Sequence, residues 1–409
     1  MNIAYCSLLL PEEKKLSERA KERLSGISGH KVTQATIAGI DENNNGPVDI
    51  FNIINTLNYP KFPQLIFRTE EWNHTALAGH KDYHLGYINI LGIKYITQFF
   101  AIKKGLKKWV KDKKEGIICV HSNFLPSMLA AVIVTKNHKD KIKLCLNTGD
   151  IPGKYGLQSQ HKKTIKQWII ENIIEKNILR IARMFDCFVF VTKEMATAFD
   201  VVEKPFTVVE CTYSQPSYAD DFNEVTEKPE KIIFYAGSIR EEYGIMHLLR
   251  AFSLIKDKDY RLKIAGGGVD ENIVKEYAQK DNRIEFLGFI TPQEVLKNQL
   301  EAHVLVSPRQ SDKEYVKYSF PSKSIDCLAS GRPYVAHKLP CDPPEYENYI
   351  IYALDESDEA LKNKLMEICE LSLDERHAIG TKARKFILEK KSPVNMTKQI
   401  IEMWKKVLE

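Results

Sequence analysis

No apolar run in the 409 residues approaches the roughly 18–20 that a membrane-spanning helix needs. The eight cysteines include no C-x-x-C pair. Cys6, Cys119, Cys145, Cys187 and Cys211 lie in or beside apolar strand-like runs and read as small buried hydrophobes, not as zinc ligands or disulfide partners. There is no H-E-x-x-H helix and no G-x-x-x-x-G-K-[ST] loop, and the glycines of "GGGVDEN" lack the G-x-G-x-x-G spacing. The excess of one charge sign is small as well: a net +5 does not call for nucleic acid. The first residues, "MNIAYCSLLLPEEKKLSERAKERL", lack the basic segment of a secretory leader and read as strand, loop, helix. The expectation is a cytoplasmic protein.

What is present is an ordinary globular composition, 44% hydrophobic and 28% charged, in a chain long enough for two domains. Apolar strand candidates in the second half are 231–238, 261–268, 283–289, 302–308, 333–338 and 349–354. Amphipathic helix-length segments separate most of them, as in "YGIMHLLRAFSLI", which predicts a parallel sheet covered on both faces. The first half repeats this more loosely, with strands expected at 2–10, 31–39, 116–122, 143–150, 187–193 and 206–211. The polar, turn-rich stretch 214–230 reads as a linker. The expected domains are therefore 1–213 and 231–388, with a C-terminal helix over 389–409 that crosses back to the first domain. Two doubly wound α/β domains of this kind would face each other across a cleft at their strand C-terminal ends.

The stretch "SFPSKSIDCLASGRPYVAH" (319–337) has the grammar of a short helix. Pro321 suits its first position, Ser319 or Ser322 suits the cap, and Ile325, Leu328 and Ala329 make a buried stripe. Gly331 and Pro333 end it. Lys323 opposes the helix dipole and so calls for another role, such as an anion beside it. Asp326, about one turn on, is placed to accept bonds from vicinal hydroxyls. The segment 93–114 sets Phe99, Ile102, Leu106, Trp109 and Val110 on one helical face and Lys103, Lys104, Lys107, Lys108 and Lys111 on the other. Such a helix either packs with a solvated lysine face or lies on an anionic membrane. His74, His80 and His84 lack metal-ligand spacing and read as solvent-facing or acceptor-loop residues. "DKD" (257–259) reads as a solvated turn, so no metal site is expected.

The succession "FYAGSIREEYGIMHLLRAF", "LKIAGGG", "IEFLGFITPQEV" and "FPSKSIDCLASGRPYVA" resembles retaining glycosyltransferases of the GT-B fold, family 4 type, of bacterial capsule, exopolysaccharide and O-antigen biosynthesis. The resemblance spans 231–338 and reaches the first half only in short pieces. It implies two Rossmann-like domains and a nucleotide-sugar donor, UDP-linked for preference, bound without metal or other cofactor. It further implies a glycan or polyprenyl-linked acceptor and a cytoplasmic, peripherally membrane-bound enzyme. Asp326 would hold the ribose, Ser322 and Lys323 the diphosphate, and Gly237 and Ser238 the phosphate side, while Gly266, Gly267 and Gly268 would line the pocket floor. Gly288, Phe289 and Ile290 would meet the base, and His121 and Asp150 the sugar. Tyr318 stands where the family usually has an acid. Arg240 or Arg309 is then the expected extra cation and Glu314 the expected replacement acid. A 2-epimerase type enzyme and a catalytically weak scaffold are the alternatives.

Overall fold

The computed structural model describes residues 1–10, 27–75, 77, 80–113, 115–152, 165–216, 218–219 and 229–409. By contact they form two units, Met1–Thr212 with Pro393–Glu409, and Tyr213–Ser392.

In the first unit the described strands are β1 (Ile3–Ser7), β2 (Asp49–Asn52), β3 (Ile66–Phe67), β4 (Glu70–Trp72), β5 (Asp82–His84), β6 (Tyr87–Ile88), β7 (Gly116–His121), β8 (Ile142–Thr148), β9 (Cys187–Phe190) and β10 (Phe206–Val208). Eight of them form one sheet in the order β10-β9-β8-β7-β1-β2-β5-β4. All neighbours in it are parallel except β4, which returns antiparallel to β5; β3 and β6 pair separately. Central strands such as "IAYCS" are buried at every residue, the consequence of helices on both faces.

The stretch 31–39, expected as a strand, lies inside the Ile27–Asn44 helix. Its β-branched residues suggested a strand, but the buried positions Thr33, Thr36, Ile37 and Ile40 recur at helical spacing. The helix expected soon after β1 lies outside the described residues. At the other end of the chain, the Pro393–Leu408 helix buries Met396, Ile400, Ile401 and Trp404 in the same core as Ile37, Ile40 and Cys145. Gly39 permits the close approach: a Cβ there would sit 2.3 Å from the Pro393 carbonyl oxygen. Asn43 Nδ2 donates to the Val394 carbonyl at 2.7 Å beside it.

The second unit carries β11 (Lys231–Ala236), β12 (Tyr260–Ala265), β13 (Ile284–Gly288), β14 (Val304–Ser307), β15 (Tyr334–Ala336) and β16 (Ile351–Tyr352). They form one parallel sheet in the order β13-β12-β11-β14-β15-β16. From β11 the chain first moves outward on one side and then, from β14, on the other. The loops after these two strands therefore diverge, which opens a crevice at their C-terminal ends. The Ile245–Leu254 and Asp358–Glu370 helices cover the sheet with Leu248, Leu249, Phe252, Leu361 and Leu365.

Candidate functional site

The crevice between β11 and β14 is bordered by the Lys323–Ala329 helix. Its grammar is partly as the sequence suggests: Ile325, Leu328 and Ala329 are buried, and Gly331, at φ 78°, ends it. The start differs. Ser322 takes the cap place with no side-chain cap bond, and Pro321 lies outside the helix, its carbonyl accepting from the Ser324 N–H at 2.8 Å. The tight turn thus formed brings Lys323, half-buried, against β11.

Lys323 Nζ stands 4.1 Å from the centre of the Tyr235 ring, and a Cβ on Gly237 would lie 3.1 Å from it. No described residue offers it a hydrogen bond or an ion pair. Burial, joined by the like charge of Arg309, lowers its pKa from 10.5 to about 8. Asp326 follows one turn later, exposed. Its carboxylate is close enough to raise the phenol of Tyr213, which burial and this charge together push up to about 12, and that of Tyr218.

Arg309, one of the two residues expected to supply an extra cation, is 3% exposed. Nη1 donates to the Ser319 carbonyl at 3.1 Å, while Nε and Nη2 are buried without a hydrogen-bond partner among the described residues. The guanidinium carbon lies 4.9 Å from the Tyr315 ring and 5.8 Å from that of Tyr243. Its location behind the crevice wall makes its field, rather than its donors, what a ligand beside Lys323 would meet.

The glycines tie the strand ends together. Gly237 N–H donates to Ala265 O at 3.0 Å and Gly266 N–H to Gly288 O at 2.7 Å, while Ile239 N–H reaches Gly267 O at 3.0 Å. Ser238 is exposed, its carbonyl accepting from the Tyr235 hydroxyl at 2.8 Å, and Arg240 precedes the short Glu241–Tyr243 turn. Phe289 is 84% exposed just beyond β13, next to half-buried Ile290. Glu314 sits apart in role: its side chain is 63% exposed and paired with Lys317 at 3.4 Å.

In the first unit, His121 ends β7 with both ring nitrogens engaged, Nδ1 with the Tyr5 hydroxyl at 3.5 Å and Nε2 with that of Thr33 at 3.1 Å. Burial lowers its pKa to about 4, so the ring is neutral at pH 7. Asp150 is exposed after β8, and its carbonyl accepts from Asn123 Nδ2 at 2.6 Å. His74 and His80, expected to face solvent or an acceptor, turn instead onto buried Asp82 from the loop between β4 and β5. His84 is buried too, stacked on Trp72 at 4.7 Å.

Sequence reasoning missed the tyrosines. Tyr235, Tyr243 and Tyr315 wall the two cations, and Tyr213 and Tyr218 approach Asp326. The available signal was one aromatic in or beside each segment converging on the β11 and β14 ends.

Residues 218–386 match the family model described as "Glycosyl transferases group 1". Solved structures match over the whole chain at low identity. Sucrose-phosphate synthase from Thermosynechococcus elongatus is 14% identical, with TM-score 0.65 and coverage of 100% of this chain and 99% of that one. Anabaena HepE in complex with UDP is 13% identical, with TM-score 0.58 and coverage of 99% and 100%. The lipopolysaccharide outer core galactosyltransferase WaaB is 13% identical, with TM-score 0.59 and the same coverage. No curated protein sequence matches the chain. The chain thus has the GT-B fold, and residues 218–386 of it are similar to the glycosyltransferase group 1 family.

Proposed function

We propose that the protein is a nucleotide-sugar glycosyltransferase that uses a UDP-sugar and retains the anomeric configuration of the donor. The observation that carries the reading is Lys323: a half-buried cation over the Tyr235 ring with no hydrogen-bond or ion-pair partner among the described residues, beside Gly237 at the switch point of a parallel sheet, with exposed Asp326 one turn away. A diphosphate supplies the counter-charge that Lys323 lacks, and the ribose hydroxyls supply donors to Asp326. As the glycosidic bond breaks, negative charge grows on the departing diphosphate, where a preorganised ammonium stabilises it without a metal ion. Exposed Phe289 offers its face to the base. UDP is preferred because the HepE relative binds UDP and UDP-glucose. In the first unit, contacts to the sugar or acceptor are assigned to His121, as a neutral ring, and to Asp150.

Calorimetry of UDP, GDP, ADP and CMP on the metal-free chain tests this. UDP should bind most tightly, and Asp326→Ala should weaken it by ~1–3 kcal/mol, the value of hydrogen bonds to a charged group. A folded chain that binds none of the four overturns the reading.

The acceptor is proposed to be a lipid-linked glycan reached from an anionic membrane surface. No described helix is long and apolar enough to cross a membrane. The Ile93–Asp112 helix, however, exposes Ile93, Tyr95, Ile96 and Phe100, and Ile90 and Leu91 are exposed just before it. Lys94 is turned inward instead, toward Asn55 Oδ1 and the Thr56 carbonyl. Lys104, Lys107, Lys108 and Lys111 stay exposed further along. Apolar side chains and lysines on one accessible stretch suit lipid headgroups and acyl chains together. Ile96→Asp with Phe100→Asp should abolish co-flotation with vesicles containing phosphatidylglycerol while UDP binding persists. Wild-type protein that stays at the bottom of the gradient sinks the membrane reading alone.

A further inference from the structure

The first unit holds a cluster that the donor site does not use. Asp82 is fully buried at the start of β5. Its Oδ1 accepts from the Ile50 N–H and its Oδ2 from the His74 N–H, each at 2.9 Å. His74 Nδ1 lies 2.6 Å from Asp82 Oδ2, and His80 Nε2 lies 3.1 Å from Asp82 Oδ1. The other nitrogen of His74 lies 2.8 Å from Asp41 Oδ2. One ligand atom from each of His74, His80 and Asp82 falls within 4.8 Å of the others.

We propose that His74, His80 and Asp82 bind a zinc-class divalent ion. Two imidazoles and one carboxylate suit zinc and its neighbours, whereas magnesium and calcium favour oxygen donors throughout. Bonds of about 2.0–2.2 Å to one ion fit a ligand triangle of this size after small side-chain adjustments. The outer shell is already in place. Asp41 fixes the far nitrogen of His74, and two backbone N–H groups fix the Asp82 carboxylate, the arrangement that orients ligands in metal sites. Two carboxylates balance the charge of a divalent ion bound by neutral imidazoles. His74 and Asp41 also line a cavity of about 760 Å³, which lies on the His74 side of the cluster. The ion would pin the β4–β5 hairpin, at the sheet edge, to β2 through Ile50 and to the Ile27–Asn44 helix through Asp41. The inference does not depend on the nucleotide reading, since every residue belongs to the first unit.

The test is zinc and cobalt titration of the tag-free, chelator-treated full chain, with bound metal counted by mass spectrometry. One equivalent of zinc, a cobalt adduct absorbing in the visible, and a first-unit melting transition raised by zinc are expected. His80→Gln preserves a hydrogen bond to Asp82 and should still fold and bind UDP, yet its zinc affinity should fall by at least ~10–100-fold. Zinc uptake well below one equivalent, or uptake unchanged in His80→Gln, overturns the site. It would leave the cluster as a proton-held clasp.

Discussion

UDP binding to the wild-type chain should weaken as the pH rises above about 8, and Lys323→Met should remove that dependence. At pH 7 the substitution should weaken binding by ~10–100-fold, as expected for a lost charge-assisted contact of ~1.5–3 kcal/mol. The sign follows from the free protein. Burial and Arg309 hold Lys323 at about 8 instead of 10.5, so above about 8 the unliganded amine is neutral and a diphosphate must bring a proton with it. The terminal phosphate of UDP has already lost its second proton near pH 6 and contributes nothing in this window. Stability should move the other way. Between about 8 and 10.5 the unfolded chain holds a proton that the folded chain has lost, so the free protein gains stability as pH rises through that range. Arg309→Met removes the like charge and should move the pH at which UDP binding fades upward. Two buried guanidinium nitrogens without a hydrogen-bond partner among the described residues are lost with it, which offsets the lost Nη1 bond to the Ser319 carbonyl, so melting of the second unit should change little. Calorimetry from pH 6.5 to 10 with melting curves over the same range measures both. A pH-independent affinity in the wild type would remove Lys323 from the diphosphate.

The sheet of the second unit was legible because its strands are continuous apolar runs and its helices strictly periodic. In the first unit the Ile27–Asn44 helix was misread: valine, threonine and isoleucine outweighed a period visible only once buried and exposed positions are known. At the candidate site, Lys323 drew attention because a lysine in the first turn opposes the helix dipole, whereas Asp326, an acid that suits a first turn, stood out only through the family resemblance of the stretch around it. The depth of Arg309 was not legible. Sequence identifies a cation but not its depth, and only the packing of Tyr243 and Tyr315 shows that the charge lies behind the wall. The inward turn of the histidines was hidden for a related reason. His74 and His80 do lie in the loop between β4 and β5, but only the antiparallel return of β4 on β5 sets them beside Asp82.

Gly266→Ala should be among the most damaging single methyl additions in the second unit. Gly266 has φ 133°, a region that L-residues rarely adopt, and its added Cβ would lie 1.8 Å from the Gly237 carbonyl oxygen. That obstacle is backbone, so no rotamer change relieves it, and the C-terminal ends of β11 and β12 must part. The Gly266–Gly288 and Gly237–Ala265 bonds would stretch with them, and Gly237 would move relative to Lys323 Nζ. A loss of ~3–5 kcal/mol is expected from strain and broken pairing together, with UDP affinity falling in parallel. The adjacent residue supplies the control. A Cβ on Gly267 meets Glu271 Oε1 at 3.2 Å, the end of a flexible side chain, and Gly267→Ala should cost far less. The four tryptophans, Trp72, Trp109, Trp168 and Trp404, all belong to the first unit. Their fluorescence should therefore report an unchanged transition in Gly266→Ala while circular dichroism shows an earlier one. Equal melting and equal UDP binding for the two alanine variants would mean that the strand ends yield easily, and that the crevice between β11 and β14 is not the rigid frame on which Lys323 depends.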